Sequence, residues 1–196
     1  MRIDKIVALL LLLGLLTPFA AAGVVGVMFV AWAINHRGNG FFIFNPGEGW
    51  EYVMTLGIVG YGRIGRAVAR RAAASGMVVV FADPSHADTG EGGAKRLELE
   101  DLVREADVIS LHCPLTDATR GLFSAERMAR MRRGAYLINT ARGAVVDNAA
   151  LADALRQGVI GGAALDVLDV EPPPLDHPLL ASDIPNLIVS PHTAWA

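Results

Sequence analysis

Hydrophobic and polar positions divide this chain into two unlike stretches. From Ile6 to Ile34, 29 residues pass without a charge, with Thr17 and Pro18 interrupting a run dominated by Leu, Val, Ala, Gly and Phe. From Thr55 onward, apolar runs of three to five residues alternate with amphipathic stretches. Short continuous apolar runs bounded by turn residues are the pattern of strands buried on both faces.

Six such strands are predicted: Thr55–Val59, Val78–Phe81, Val108–Leu111, Tyr136–Asn139, Ala163–Val167 and Leu187–Val189. Helical periodicity predicts Arg63–Ala74, Glu98–Glu105, Ala125–Met131 and Asn148–Gln157. In the first of these, Ile64, Ala67 and Val68 are expected on the buried face and Arg63, Arg66 and Arg70 on a solvated one. Gly76 is expected to close that helix, Asp147 to cap the last one, and Gly158 to stop it. The stretch from Leu168 to Asn186 holds five prolines and reads as an extended loop. Parallel strands need crossover connections, so this alternation predicts an α/β fold, a doubly wound parallel sheet of Rossmann type in the order 3-2-1-4-5-6.

The leader, residues 1–54, is expected to be helical and membrane-inserted, because ~20 apolar residues suffice to span a bilayer. A transmembrane segment over about residues 6–34 is the favoured reading. A secretory signal is the alternative, with Arg2 and Lys5 ahead of the apolar run and "AAAG" as a cleavage site, but apolarity continues beyond it through "VVGVMFVAWAI". Arg2 and Lys5 would hold the N-terminus inside and send a single-span chain outward, away from cytosolic cofactor. Orientation therefore stays open. The motifs "GLLTPFAA", "HRGNGFF" and "GEGWEY" make Leu13–Met54 resemble an interior piece of DoxX-type small membrane proteins.

Charge narrows the partners. A net charge of −3 argues against a nucleic-acid surface. The single cysteine, Cys113, excludes an intrachain disulfide, and no metal-ligand spacing occurs.

Gly60-Tyr61-Gly62-Arg63-Ile64-Gly65 follows the first strand and opens the first helix, and Asp83 stands 18 residues beyond Gly65 at the end of the second strand. In that setting Gly60 permits a tight turn, Gly62 lets a pyrophosphate approach the backbone, and Gly65 lets helix and strand pack closely. The helix N-terminus offers unpaired N–H groups to the phosphates. Asp83 can accept from an adenosine ribose and would repel a 2′-phosphate, and no Lys or Arg follows until Lys95, which favours NAD over NADP. A purely structural Asp at a strand end is the alternative.

Ligands of open α/β sheets sit beyond the carboxyl ends of the strands. Arg142 follows the fourth predicted strand, Glu171 the fifth and His192 the sixth. A guanidinium, a carboxylate and an imidazole at neighbouring ends could converge on one pocket. Plainer readings are a surface ion pair for Arg142, a solvated acid for Glu171 and a strand cap for His192. His86, His112 and His177 are read as structural or exposed, and Cys113 as a packing residue.

Residues 55–196 carry "GIVGYGRIG", "LHCPLTDATRGLF", "LINTARGAVVD", "GGAALDVLDVEPP" and "SPHTAWA". Together these resemble the coenzyme domain of the D-isomer specific 2-hydroxyacid dehydrogenases, with "DIPNLIVSPHTAWA" most similar to the glycerate dehydrogenase (hydroxypyruvate reductase) branch. The resemblance implies NAD as cofactor, a small 2-oxo or 2-hydroxy acid such as hydroxypyruvate or glyoxylate as substrate, a cytoplasmic setting and a homodimer. It implies Arg142 on the substrate carboxylate, His192 as the general acid and base, and Glu171 on the other ring nitrogen of His192. It also implies cofactor contacts from Arg63, Ile64, Cys113, Pro114, Thr140, Ala141, Arg142, Asp166, His192, Thr193 and Ala194, with Asp166 near the carboxamide.

Set beside that family, the leader stands where a substrate domain is expected, and four residues follow His192. The segment before the first strand, which in the family helps dimers form, is replaced as well. The expectation is a truncated dehydrogenase joined near Met54–Leu56 to an unrelated fragment, with substrate positioning and expulsion of water weakened. Three functions compete: an NAD-dependent oxidoreductase, a membrane-tethered NAD-binding module without turnover, and a membrane-protein remnant carrying a passenger.

Overall fold

The chain divides into two units, Met1–Trp50 and Glu51–Ala196. The computed structural model describes residues 53–86 and 90–193, all within the second unit. The expected span over residues 6–34 and the DoxX-like stretch up to residue 52 lie outside the described residues. Among the described residues no helix is long and apolar enough to cross a membrane.

Seven strands form one fully parallel sheet: β1 (Thr55–Val59), β2 (Val78–Ala82), β3 (Lys95–Arg96), β4 (Val108–Leu111), β5 (Tyr136–Asn139), β6 (Gly162–Leu165) and β7 (Leu187–Val189). The order is β3-β2-β1-β4-β5-β6-β7. Counting six strands was therefore incorrect. The place expected for Val108–Leu111 beyond β2 belongs to Lys95–Arg96, while Val108–Leu111 pairs with β1 on its other side. The omitted strand is two charged residues long at an edge, so it has no apolar run to betray it. Counted with it, the order follows the doubly wound scheme with one strand added.

Helices α1 (Arg63–Ala74), α2 (Leu99–Glu105), α3 (Ala125–Met128) and α4 (Asn148–Arg156) cover the sheet. Asp147 caps α4 as expected, its Oδ1 accepting from the Ala150 amide at 3.0 Å, and Gly158 follows at φ 65°. Gly76, at φ 82°, follows α1. The third helix is a single turn capped by Ser124, shorter than the predicted Ala125–Met131. The proline-rich loop holds one 3-10 turn, Pro178–Leu180.

The fully buried positions of α1 are Gly65, Ala69 and Ala72, while Val68, as expected, packs partly buried against the same cluster and Ala67 is partly buried. A methyl at Gly65 would collide with the Gly60 carbonyl and the Ile58 side chain, so only small residues let this helix lie so close to β1. Ile64 is instead half-exposed beside the β1–α1 turn. Arg63 and Arg70 are solvated, and Arg70 pairs with Glu91.

Two apolar clusters hold the fold. One packs α1 onto Leu56, Ile58 and Phe81. The other joins Ile109, Leu111 and Leu137 to Leu102, Phe123, Met128, Leu151 and Leu155. Burying each such large side chain contributes roughly 1.5–3 kcal/mol. These contacts fix the carboxyl ends of β1, β2 and β4–β7 along one rim.

Candidate functional site

The rim begins at the β1–α1 turn. Gly60 has φ 92°, and a Cβ there would stand 2.5 Å from the Cys113 amide nitrogen, so a side chain is excluded on both backbone and spatial grounds. A Cβ on Gly62 would meet nothing within 4 Å. The same turn is therefore filled by protein on one side and open on the other. The first turn of α1 contains no acid, and Gly62 caps it without a side-chain bond. Its free N–H groups and the helix dipole favour an anion at that opening, where Arg63 and Ile64 are also exposed.

Asp83 ends β2 and reaches back to this turn. Its Oδ2 accepts from the Tyr61 amide at 2.7 Å, and its Oδ1 from the Ser85 amide and hydroxyl at 2.9 and 2.6 Å. His86 Nδ1 lies 3.3 Å from Oδ2. Burial opposes ionisation, but the Ser85, Tyr61 and His86 hydrogen bonds outweigh it and bring the carboxyl down to about 2. A fixed anion thus stands beside the opening at Gly62. Tyr61 is buried and stacks on Phe81 at 3.8 Å, which holds the turn against the sheet.

Beyond β4, His112 Nε2 pairs with the Ser110 hydroxyl at 2.9 Å, and burial lowers its ring to about 4, so it is neutral at pH 7. Cys113 is buried and its thiol is pushed up by that burial, which suits packing rather than nucleophilic chemistry. Pro114 is exposed next to it, its carbonyl accepting from Thr119 Oγ1 at 2.6 Å.

After β5, buried Asn139 ties the Thr140–Arg142 turn to itself. Its Oδ1 accepts from the Ala141 amide at 3.0 Å and its Nδ2 donates to the Arg142 carbonyl at 2.9 Å. Gly143 then lies directly against the Leu168 backbone, leaving no room for a methyl group. That contact sets the Arg142 turn against the turn bearing Glu171. The Arg142 guanidinium is exposed, donates to the Ala141 carbonyl at 2.7 Å, and makes no ion pair among the described residues.

The structure brings Glu171 and His192 together, although 21 residues separate them. Glu171 Oε2 lies 2.6 Å from His192 Nδ1, and Oε1 accepts from the Leu168 amide at 2.8 Å. Burial works against ionisation of Glu171, but the Leu168 amide and His192 prevail and its carboxyl titrates lower than usual. An ionised carboxylate only accepts, so Nδ1 carries the proton and Nε2 is the free ring nitrogen. His192 itself has φ 54°, a region that few side chains occupy. Buried Asp166 brackets it, with Oδ1 accepting from Ser190 Oγ at 2.6 Å and the Thr193 amide at 2.9 Å. Ala194 lies outside the described residues.

Sequence reasoning missed Ser85, Asn139, Asp169 and Ser190 as supports of this rim. Asn139 carried a visible signal, a polar residue closing an otherwise apolar strand. His177 is buried and paired with Asp169 at 2.8 Å, consistent with a structural reading. Among the described residues no group of three or more His, Cys, Asp or Glu side chains could hold a metal ion.

The arrangement has known counterparts. A family model for the D-isomer specific 2-hydroxyacid dehydrogenase, NAD binding domain, matches residues 50–194. Glycerate dehydrogenase from Methylorubrum extorquens is 49% identical over 142 residues, which are 72% of this chain and 43% of that one. Glyoxylate reductase from Korarchaeum cryptofilum is 48% identical over 147 residues, 74% of this chain and 44% of that one. The solved D-lactate dehydrogenase with NAD+ from Lactobacillus jensenii has a TM-score of 0.66 at 36% identity, covering 73% of this chain and 46% of that one. The chain spans less than half the length of these relatives. An open glycine turn, a fixed anion at the end of β2 and a family match across almost the whole second unit agree, and the chain belongs to the D-isomer specific 2-hydroxyacid dehydrogenase family through its NAD-binding domain.

Proposed function

We propose that this chain provides the coenzyme half of an NAD-dependent oxidoreductase that interconverts a small 2-oxo acid and its D-2-hydroxy acid. The relatives' names contain glycerate and glyoxylate, and hydroxypyruvate is the 2-oxo acid that corresponds to glycerate. The observation that carries this reading is the 2.6 Å pairing of Glu171 with His192 at adjacent strand ends.

NAD fits the rim because Gly62 is open where a diphosphate would approach, and Asp83 is an anion beside it. Asp83 accepts a ribose hydroxyl and disfavours a 2′-phosphate. Gly60, Gly65, Arg63, Ile64, Cys113, Pro114, Thr140, Ala141, Asp166, Thr193 and Ala194 complete the cofactor contacts. When bound, NADH supplies the hydride. Arg142 swings from the Ala141 carbonyl to fork onto the substrate carboxylate and polarise its 2-oxo group. His192 Nε2 gives a proton to the developing alkoxide in reduction and takes it back in oxidation. Glu171 holds the Nδ1 proton, fixes the tautomer and favours the imidazolium. The dehydrogenase portion belongs on the cytoplasmic side, where its cofactor is.

A second reading, NAD binding without turnover, is favoured by the resting position of Arg142 on its neighbour's carbonyl. Hydroxypyruvate-dependent oxidation of NADH by the full chain separates the two. Turnover lost in His192→Ala with NADH binding retained supports the dehydrogenase. NADH binding with no turnover in the unmodified chain selects the second reading.

A further inference from the structure

The turn that carries Glu171 rests on a second imidazole–carboxylate pair, formed by a buried histidine and a surface aspartate. His177 is buried, with Nδ1 accepting from the Leu179 amide at 3.2 Å. That acceptor role puts the ring proton on Nε2, which lies 2.8 Å from Asp169 Oδ1 and donates to it. The same Oδ1 accepts from the Val170 amide at 3.0 Å. Two carboxylates therefore pin one four-residue turn, Glu171 on the Leu168 amide and Asp169 on the Val170 amide. The Gly143 contact presses on the Leu168 backbone at its start. Burial opposes ionisation of Asp169, but the hydrogen bond from His177 helps hold its carboxyl below the usual range.

We propose that Asp169 and His177 are positioning residues, whose pairing fixes the Leu168–Glu171 turn so that the Glu171 carboxylate meets His192. This rests on the reading of Glu171 and His192 as the proton-transfer pair, and goes beyond it by assigning the support that keeps them aligned. Val170 and Glu171 are exposed and have few other anchors, so the turn's geometry depends on what holds Asp169 from behind.

The test is a carbon-13 NMR titration of the Glu171 carboxyl in the full chain, assigned with Glu171→Gln, in the unmodified protein and in Asp169→Ala, His177→Ala and His177→Gln. Glu171 titrates below its usual range through the Leu168 amide and His192, with the Asp166 carboxylate opposing. Releasing the turn is expected to move Glu171 up toward an unpaired glutamate in both alanine variants. The Asp169→Ala result is diagnostic, because deleting a nearby negative charge would by itself move Glu171 down. His177→Gln keeps a donor near the Nε2 position and is expected to restore the original titration. Asp183, held low by Arg156 in a separate ion pair, is the internal reference and should not move. Where turnover is measurable, kcat should fall about tenfold in the alanine variants with KM for NADH unchanged.

An unchanged Glu171 titration in Asp169→Ala overturns the proposal, and so does a joint rise of Glu171 and Asp183, which would report general loosening. Movement of Glu171 in a protein with no turnover supports the positioning role while sinking the dehydrogenase reading. Asp169 is on the surface, so its variant keeps the test decisive if His177→Ala fails to fold.

Discussion

Gly143 leaves no space for a side chain between itself and the backbone of Leu168, so the turns after β5 and β6 meet main chain to main chain. This contact sets the Arg142 turn beside the Glu171 turn, without any bond between their side chains. Gly143→Ala must push one turn away. A loss of about 1–3 kcal/mol is expected, as for other overpacked sites. Urea denaturation of Gly143→Ala against the unmodified protein measures it, and an unchanged midpoint would contradict the packing described.

Asp83 makes stability depend on acid in a predictable direction. Its folded value of about 2 lies below its ordinary 3.8, so the unfolded chain binds the proton more readily. Its contribution is fully present above about pH 4 and is lost as pH falls toward 2, at most about 2 kcal/mol in total. Asp83→Asn should flatten that part of the stability–pH curve. Chemical denaturation at a series of pH values from 5 to 2 gives the comparison.

The same residue should govern cofactor choice. Removing the anion in Asp83→Ser is expected to weaken NADH binding by roughly tenfold or more, given 1.5–3 kcal/mol for a charge-assisted hydrogen bond. NADPH should be discriminated against less strongly. Fluorescence titration with both nucleotides measures the ratio, and an unaltered ratio would remove Asp83 from the ribose site.

Cys113 is buried with its thiol pushed up, next to Gly60. A thiol reagent should therefore label the folded protein slowly at neutral pH, and one equivalent should appear on unfolding. Rapid labelling of the native chain would show that the β4 end is open, unlike the packed arrangement here.

Much of the second unit could be read directly from the chain. Five central strands announce themselves because parallel strands covered on both faces need unbroken apolar runs, as in "LGIV" and "VISL", and β7 keeps an apolar run at the edge although Ile188 and Val189 are exposed. The cap at Asp147 and the glycine turn were legible for local reasons, since each depends on neighbours within a few residues. Lys95–Arg96 was not, because an edge strand of two charged residues is defined only by its pairing with Val80 and Phe81. The fully buried positions of α1 were not legible, because close packing selects Gly65, Ala69 and Ala72 for smallness, whereas periodicity weights hydrophobicity. Arg142, Glu171 and His192 could be named from strand ends. The Glu171–His192 pairing depended on β6 and β7 being neighbours, and the Asp169–His177 support on a loop with no periodicity to read.

The central claim is that the rim holding the cofactor also assembles the proton-transfer groups. A crystal structure of the full chain with NADH tests it most directly. The account predicts the diphosphate over Gly62, the ribose on Asp83, and the Arg142 guanidinium and His192 Nε2 facing one side of the nicotinamide, with Glu171 still on Nδ1. A nicotinamide bound away from His192, or Arg142 and His192 on opposite sides of it, would contradict the account.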